Sequence, residues 1–403
     1  MATLGRALQR RGHQVTVFQV PGLESRVKNE GLDFCGLGPD AGDLAGMIER
    51  LGQLEGLASL RLAVQGACRL ATVICTHGPD AVGAAGIDML LVDQNEPAGG
   101  SIAEHAGLPF VSVCPSLPLN REPAIPPPFV PWGYSRDWTA CFLNRLGYAA
   151  ADRLIAPIRK RLNGFRTAWG LRPSRSPDDS FSPLAQLCQM PREFDFPREN
   201  LPAGFHYLGP FLDQRSGGEA PFPYERLDAR PLVYASLGTL QSGAGDYFMR
   251  IAEACARLDV QLVIATGNSA ASVRVFPGDP IVVDYAPQMA LLQRAKLVVT
   301  HAGLNTVMQS LACGVPMVAM PMTHDQPAIA ARLARTEAGI VIAPKQASVE
   351  RLHAAIQAVL TEPKYGNAAT ALRDAITRSG GVERAADIVE RCLETASLEK
   401  RLT

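Results

Sequence analysis

Short apolar runs alternate with helical patterns along most of this chain, which predicts an α/β fold built on parallel sheet. A helical segment over Leu4 to Arg11 precedes a strand over Gln14 to Val20. A buried strand over Asp88 to Asp93, a helix over Ser101 to Ala106 and a strand over Pro109 to Val113 follow. The stretch from Pro115 to Pro131 carries Pro at 115, 118, 123, 126, 127, 128 and 131, which excludes regular helix and central strand. Its aromatic end, Phe129, Trp132, Tyr134 and Trp138, predicts a pocket wall rather than a linker. Trp138 to Trp169 reads as a helix bent at Pro157.

The polar stretch Asp213 to Pro221 has no hydrophobic period and marks a boundary that runs to Arg230. The rhythm then restarts. Strands are expected at Leu232 to Ala235, Gln261 to Ala265, Ile281 to Val283, Leu297 to Val299 and Pro316 to Pro321. Helices are expected at Tyr247 to Leu258, Pro287 to Arg294 and Val307 to Ala312. At 403 residues the chain exceeds what one core organises. The expectation is two doubly wound Rossmann-like domains facing a cleft: 1–213, a linker over 214–230, and 231–403 ending in a helical tail.

Composition narrows the partners. With 39 basic and 39 acidic residues, the chain has no cationic surplus to draw it to nucleic acid. Its nine Cys fall singly in apolar surroundings, without a C-x-x-C pair or metal-ligand spacing, so reduced thiols and no metal are expected. The longest apolar runs fall short of the ~20 residues of a membrane helix. No signal-peptide pattern precedes Arg6. A cytoplasmic protein is expected, with peripheral contact to the inner membrane left open if the substrate is a lipid.

The chemistry concentrates in Thr300-His301-Ala302-Gly303-Leu304-Asn305-Thr306, between a strand pattern and a helix pattern. A strand feeding a Gly turn that opens a helix presents free N–H groups and the positive end of the helix dipole. Gly303 lets a phosphate approach the backbone, His301 adds a donor, and Asn305 or Thr306 is the expected helix cap. Ser236-Leu237-Gly238-Thr239 follows the first strand of the second half and should face the same anion. Tyr285 offers a face for a base and Gln288 a pairing amide, whereas Asp325-Gln326 offers an acceptor and an amide for sugar hydroxyls.

Together Tyr285-Ala-Pro-Gln288, His301-Ala-Gly303-Leu-Asn305-Thr306, Gly314-Val-Pro316 and Asp325-Gln326 resemble the donor-binding signature of family 1 glycosyltransferases, which use UDP-sugars and have the GT-B fold. The likeness covers nearly the whole chain. Leu117-Pro-Leu-Asn-Arg-Glu-Pro123, Phe181-Ser-Pro-Leu-Ala-Gln186, Phe194-Asp-Phe-Pro-Arg198 and Ala235-Ser-Leu-Gly-Thr-Leu-Gln241 look most like the bacterial zeaxanthin glucosyltransferases. The resemblance implies metal-independent, inverting transfer of a hexose, glucose above others, from a UDP-sugar to a hydroxyl of a hydrophobic molecule such as a hydroxylated carotenoid. It implies Tyr285 against the uracil, Gln288 on the base edge, and His301, Asn305 and Thr306 on the diphosphate. Asp325 and Gln326 would hold the sugar. Gln309 departs from the family, where a carboxylate usually meets the ribose hydroxyls, and predicts weaker or altered donor binding.

In that family the base is a His in the loop after the first strand, oriented by an Asp that Asp93 matches. The His has no counterpart, because Met1 to Leu8 resembles the middle of the first helix, so the first strand of the amino-terminal domain and its loop are expected to be missing and the domain truncated at its start. His13, His77, His105 and His206 carry no motif. Little or no transfer by this polypeptide is the expectation. The alternative is a protein that binds a UDP-sugar or lipophilic alcohol without turnover. A rival oxidoreductase reading rests on Gly36-Leu-Gly38-Pro-Asp-Ala-Gly42, where the third Gly is displaced and Pro39 interrupts the dinucleotide fingerprint.

Overall fold

Six parallel strands form the larger sheet: β7 (Leu232–Ser236), β8 (Gln261–Ala265), β9 (Ile281–Val283), β10 (Ala295–Thr300), β11 (Met317–Ala319) and β12 (Gly339–Val341). Their spatial order is β12-β11-β10-β7-β8-β9, so the chain reverses its direction of travel between β7 and β10. Ligands of such sheets bind at that reversal, beyond the carboxyl ends of the strands. Leu297, Val298 and Val299 of β10 are fully buried, because helices cover both faces of the sheet. The protein is described here by a computed structural model over residues 1–38, 56–213, 220–238, 244–267 and 275–402. Thr239, residues 39–42 of the near-fingerprint and residues 214–219 of the expected linker lie outside the described residues.

The first half carries two separate parallel sheets. β1 (Thr16–Gln19) pairs with β2 (Asp33–Gly36), and β3 (Leu90–Asp93), β4 (Phe110–Cys114), β5 (Gln186–Cys188) and β6 (Phe205–Tyr207) form the other. The segment before β1 is the helix Ala2–Arg10, as its pattern predicts. The helices Gly56–Ala84, Pro97–Ala106 and Trp138–Ala168 flank these sheets, and Pro157 lies inside the last of them.

Buried apolar contacts tie the halves. One buried cluster runs from Cys114, Leu117, Met190 and Phe194 to Val298, Ala302 and Leu304. The closing helix, Gly381–Leu402, returns to the first half and sets Val382, Ala385, Ile388 and Val389 against Leu4, Leu8, Val111 and Leu187. Arg11 reinforces that return by pairing with Glu383, Asp387 and Glu390.

Candidate functional site

Ser236 of β7 lies beside Thr300 of β10 in register, so the turns that follow these two strands sit side by side. His301 fills the space between them. A Cβ on Gly238 would come within 3.1 Å of the imidazole, and one on Gly303 would come within 2.6 Å of Nε2. Both glycines are therefore required by the histidine they enclose, and Gly238 also has a φ of +83°. Burial pulls the His301 pKa down, with a backbone hydrogen bond at Ser236 opposing it, so the ring is neutral near pH 7. Its Nδ1 is buried without a hydrogen-bond partner among the described residues.

The helix Leu304–Ala312 begins next to this ring. Sequence reasoning expects Asn305 or Thr306 as its cap, but Gly303 occupies the N-cap position and no side chain caps the helix. Asn305 and Thr306 fall in its first turn, where their own N–H groups belong to the uncapped end. Ala302 enters this turn with a φ of 66°, a left-handed conformation that an L-residue adopts only when its surroundings enforce it. Full burial of Ala302 supplies that enforcement.

Asp325 occupies the N-cap position of the helix Gln326–Arg335, which follows β11, and makes no side-chain cap bond. Burial raises its pKa, opposed by its own backbone and by His324. Gln326 is a partial correction to the sequence reading. Its Oε1 accepts from the N–H groups of Met322 and Thr323 at 2.9 Å, so it shapes the loop that presents Asp325. His324, just before, has a φ of 56°. Thus, among the described residues, two of the four non-glycine residues with positive φ, Ala302 and His324, stand just before the N-caps of helices that carry predicted site residues.

β9 lies at the sheet edge, yet the short helix Gln288–Leu292 returns toward β10. Gln288 Nε2 donates to Gln309 Oε1, and the Tyr234 hydroxyl reaches Gln288 Oε1 at 3.3 Å. The predicted base-binding and ribose-binding amides are thereby one unit. Tyr285 is 54% exposed, leaving its ring face open.

Among known proteins, residues 79–375 match the family described as UDP-glucoronosyl and UDP-glucosyl transferase. The chain belongs to that family. It is 32% identical to a zeaxanthin glucosyltransferase of Pantoea ananas over 98% of this chain and 93% of the relative. It is 35% identical to one of Pseudescherichia vulneris over 80% of this chain and 78% of the relative. In structure it is similar to the calicheamicin glycosyltransferase CalG4, with a TM-score of 0.76 at 21% identity over 98% of this chain and 94% of that one. The architecture is GT-B, as expected, and the protein is a UDP-glycosyltransferase by family.

On the first-half side of the transferase, Asp93 ends β3, and its Oδ1 accepts from Asn95 N at 2.9 Å and Asn95 Nδ2 at 3.0 Å. No His is bonded to it among the described residues: His13 pairs with Glu390, and His105 stacks on Trp169. Sequence reasoning missed Glu96, the N-cap of the helix Pro97–Ala106, which accepts from Ala98 N at 3.2 Å. Burial, with Asp93 adding to it against the Ala98 bond, pushes the Glu96 carboxyl up to about 7. Its three-residue separation from Asp93 was the available signal.

The aromatic end of the Pro-rich loop corrects a second expectation. Phe129, Trp132 and Trp138 are exposed, and Tyr134 alone turns inward to stack on Phe196. The Phe194-Asp-Phe-Pro-Arg198 segment instead binds the two halves together. Asp195 is buried between Arg198 (2.6 Å), Arg332 (2.8 Å) and the Tyr207 hydroxyl (2.8 Å). Burial would raise its pKa, but the two guanidinium groups outweigh it and hold the carboxyl at about 2.

Proposed function

We propose that this transferase moves a hexose, glucose, from a UDP-sugar to a hydroxyl of a hydrophobic small molecule, a hydroxylated carotenoid such as zeaxanthin. Inversion at the anomeric carbon and independence from a metal are part of the proposal. Residues 1–213 would serve the acceptor and 231–403 the donor, with 214–230 between them. The enzyme would work in the cytoplasm, at the inner membrane's surface when its acceptor lies there. Among the described residues no helix is long and apolar enough to cross a membrane.

One observation carries this reading: His301 stands at the uncapped start of Leu304–Ala312, at the reversal point of the sheet, with an unpartnered ring nitrogen. In the proposed reaction the acceptor oxygen attacks the anomeric carbon opposite the diphosphate. As that bond forms, the bond to the UDP oxygen breaks and the acceptor proton leaves to a base. Negative charge grows on the diphosphate, where the N–H groups of Leu304, Asn305 and Thr306 and the His301 ring would absorb it. Tyr285 would stack on the uracil, with Gln288 on the base, Gln309 on the ribose, Ser236, Gly238 and Thr239 beside the diphosphate, and Asp325 on the sugar hydroxyls. The likeness to two zeaxanthin glucosyltransferases supports the acceptor class.

The test is UDP release from UDP-glucose with and without zeaxanthin, with the product resolved by chromatography. Zeaxanthin-dependent release and a β-glucoside from the α-linked donor are expected, undiminished by EDTA. A chain that binds no UDP would overturn the reading. Asp93 bonded to Asn95 rather than to a His favours a second one, binding without turnover. Stoichiometric UDP binding without release would select it.

A further inference from the structure

The helix Trp138–Ala168 turns one long face away from the protein, and that face has a consistent chemistry. At its start Trp138 is 78% exposed, Phe142 53%, Leu143 51% and Leu146 50%. Trp138, Phe142 and Leu146 recur at helical spacing, so they share one stripe. Phe129 and Trp132 of the preceding loop are exposed as well. Along the same face the stripe then becomes basic, with Arg153, Lys160 and Arg161 exposed and Arg145 flanking the apolar end.

Acidic compensation is sparse there, with Asp137 at the cap of the helix. The helix contains one carboxylate, Asp152, and it is held by both Nη atoms of Arg121 at 2.7 and 2.8 Å. The basic residue Arg166 turns inward to Glu104. The outward charge of the helix is therefore wholly positive, in a chain whose net charge is zero. Beside it, Arg61 and Arg69 of Gly56–Ala84 line a groove of about 490 Å³ together with Leu154 and Pro157. A local cationic field has been built on a neutral protein.

We propose that this face is a docking surface for an anionic lipid bilayer. The proposal extends the reading above by placing the enzyme where a lipophilic acceptor dissolves. Aromatic rings at one end suit the boundary between headgroups and acyl chains, and the Lys and Arg side chains meet acidic headgroups. A second copy of the chain is the poorer occupant, because a symmetric contact through this helix would set like charges face to face.

The test uses the purified full chain without donor or acceptor, so it is independent of turnover. Binding is measured by flotation with vesicles of phosphatidylcholine alone and of phosphatidylcholine with phosphatidylglycerol. The expected result is binding to the acidic vesicles, weakened by salt, with a blue shift of tryptophan emission as Trp138 leaves water. The joint variant Arg153→Gln, Lys160→Gln, Arg161→Gln should bind about a hundredfold more weakly, at roughly fivefold per charge. Phe142→Ser with Leu146→Ser should abolish the blue shift. Both variants should bind UDP as the parent does, which shows that they fold. Three results would overturn the proposal: no binding of the parent chain to acidic vesicles, equal binding by the variants, or a dimer in sedimentation that Phe142→Ser dissociates.

Discussion

Arg332, on the helix Gln326–Arg335, donates from Nε to Asp195 Oδ1 at 2.8 Å, joining the helix that starts at Asp325 to the first half. Both side chains are almost wholly buried, and the Arg332 guanidinium also lies 4.2 Å above the Phe196 ring. Arg198 extends the connection by donating to the carbonyls of Asn120 at 2.7 Å and Pro118 at 3.2 Å in the Pro-rich loop. The proposed sugar-binding loop and the Pro-rich loop are thus held in fixed relation through one carboxylate.

Arg332→Met leaves Asp195 with one fewer cation in a buried site and should cost about 3 kcal/mol. The three Trp, at 132, 138 and 169, all lie in the first half. Urea unfolding followed by Trp fluorescence and by far-UV circular dichroism should coincide in the parent chain and separate in the variant. Coincident transitions in both would show that the pair does not couple the halves.

The Gln288 to Gln309 bond leads to a second expectation. A carboxylate at 309 still accepts from Gln288 Nε2 and offers a ribose hydroxyl a charge-assisted bond. Gln309→Glu should therefore fold normally and bind UDP about fivefold more tightly, the equivalent of ~1 kcal/mol. Calorimetric titration with UDP checks this, and an unchanged Kd would dissociate Gln309 from the ribose.

Gly303→Ala introduces a methyl group 2.6 Å from His301 Nε2 at an ordinary backbone φ of −64°, so its effect is steric and local. The ring must move, and UDP affinity should fall about tenfold, or ~1.4 kcal/mol, while the urea midpoint changes little. If UDP affinity survives, the histidine does not meet the diphosphate.

Glu96 predicts a pH dependence of stability. Its folded pKa of about 7 lies above the ordinary 4.5, so the fold favours the protonated acid. The associated stability is fully present below pH 4.5 and is lost as pH rises through about 7, a change on the order of 3 kcal/mol. Glu96→Gln should flatten that slope. Urea midpoints of parent and variant at pH 5 and pH 8 give the comparison, and parallel slopes would rule out Glu96 as the titrating group.

The second half was readable because its strands β8 and β9 are almost entirely apolar and its turns carry residue types with few other uses. The turns after β7 and β10 were expected to face one anion because both follow strand carboxyl ends, and the reversal between these strands sets them side by side. Less was visible in the first half. Strands β5 and β6 have three residues each, too few to show a period. Asp195 looked like an ordinary loop acid, because its two arginine neighbours come from sequence separations of 3 and 137. The rings of Trp132 and Trp138 point outward against the expectation of a pocket wall, because aromatic content says nothing about which way a side chain points.

The return of Gly381–Leu402 to the first half also orders events during synthesis. Leu4, Leu8 and Val111 acquire their Val382 and Ile388 cover only when the last helix has left the ribosome. These residues must wait, with apolar surface bare, for cover from a segment far downstream in the chain. The layer around Leu4 and Val111 is therefore completed long after its own residues have been made.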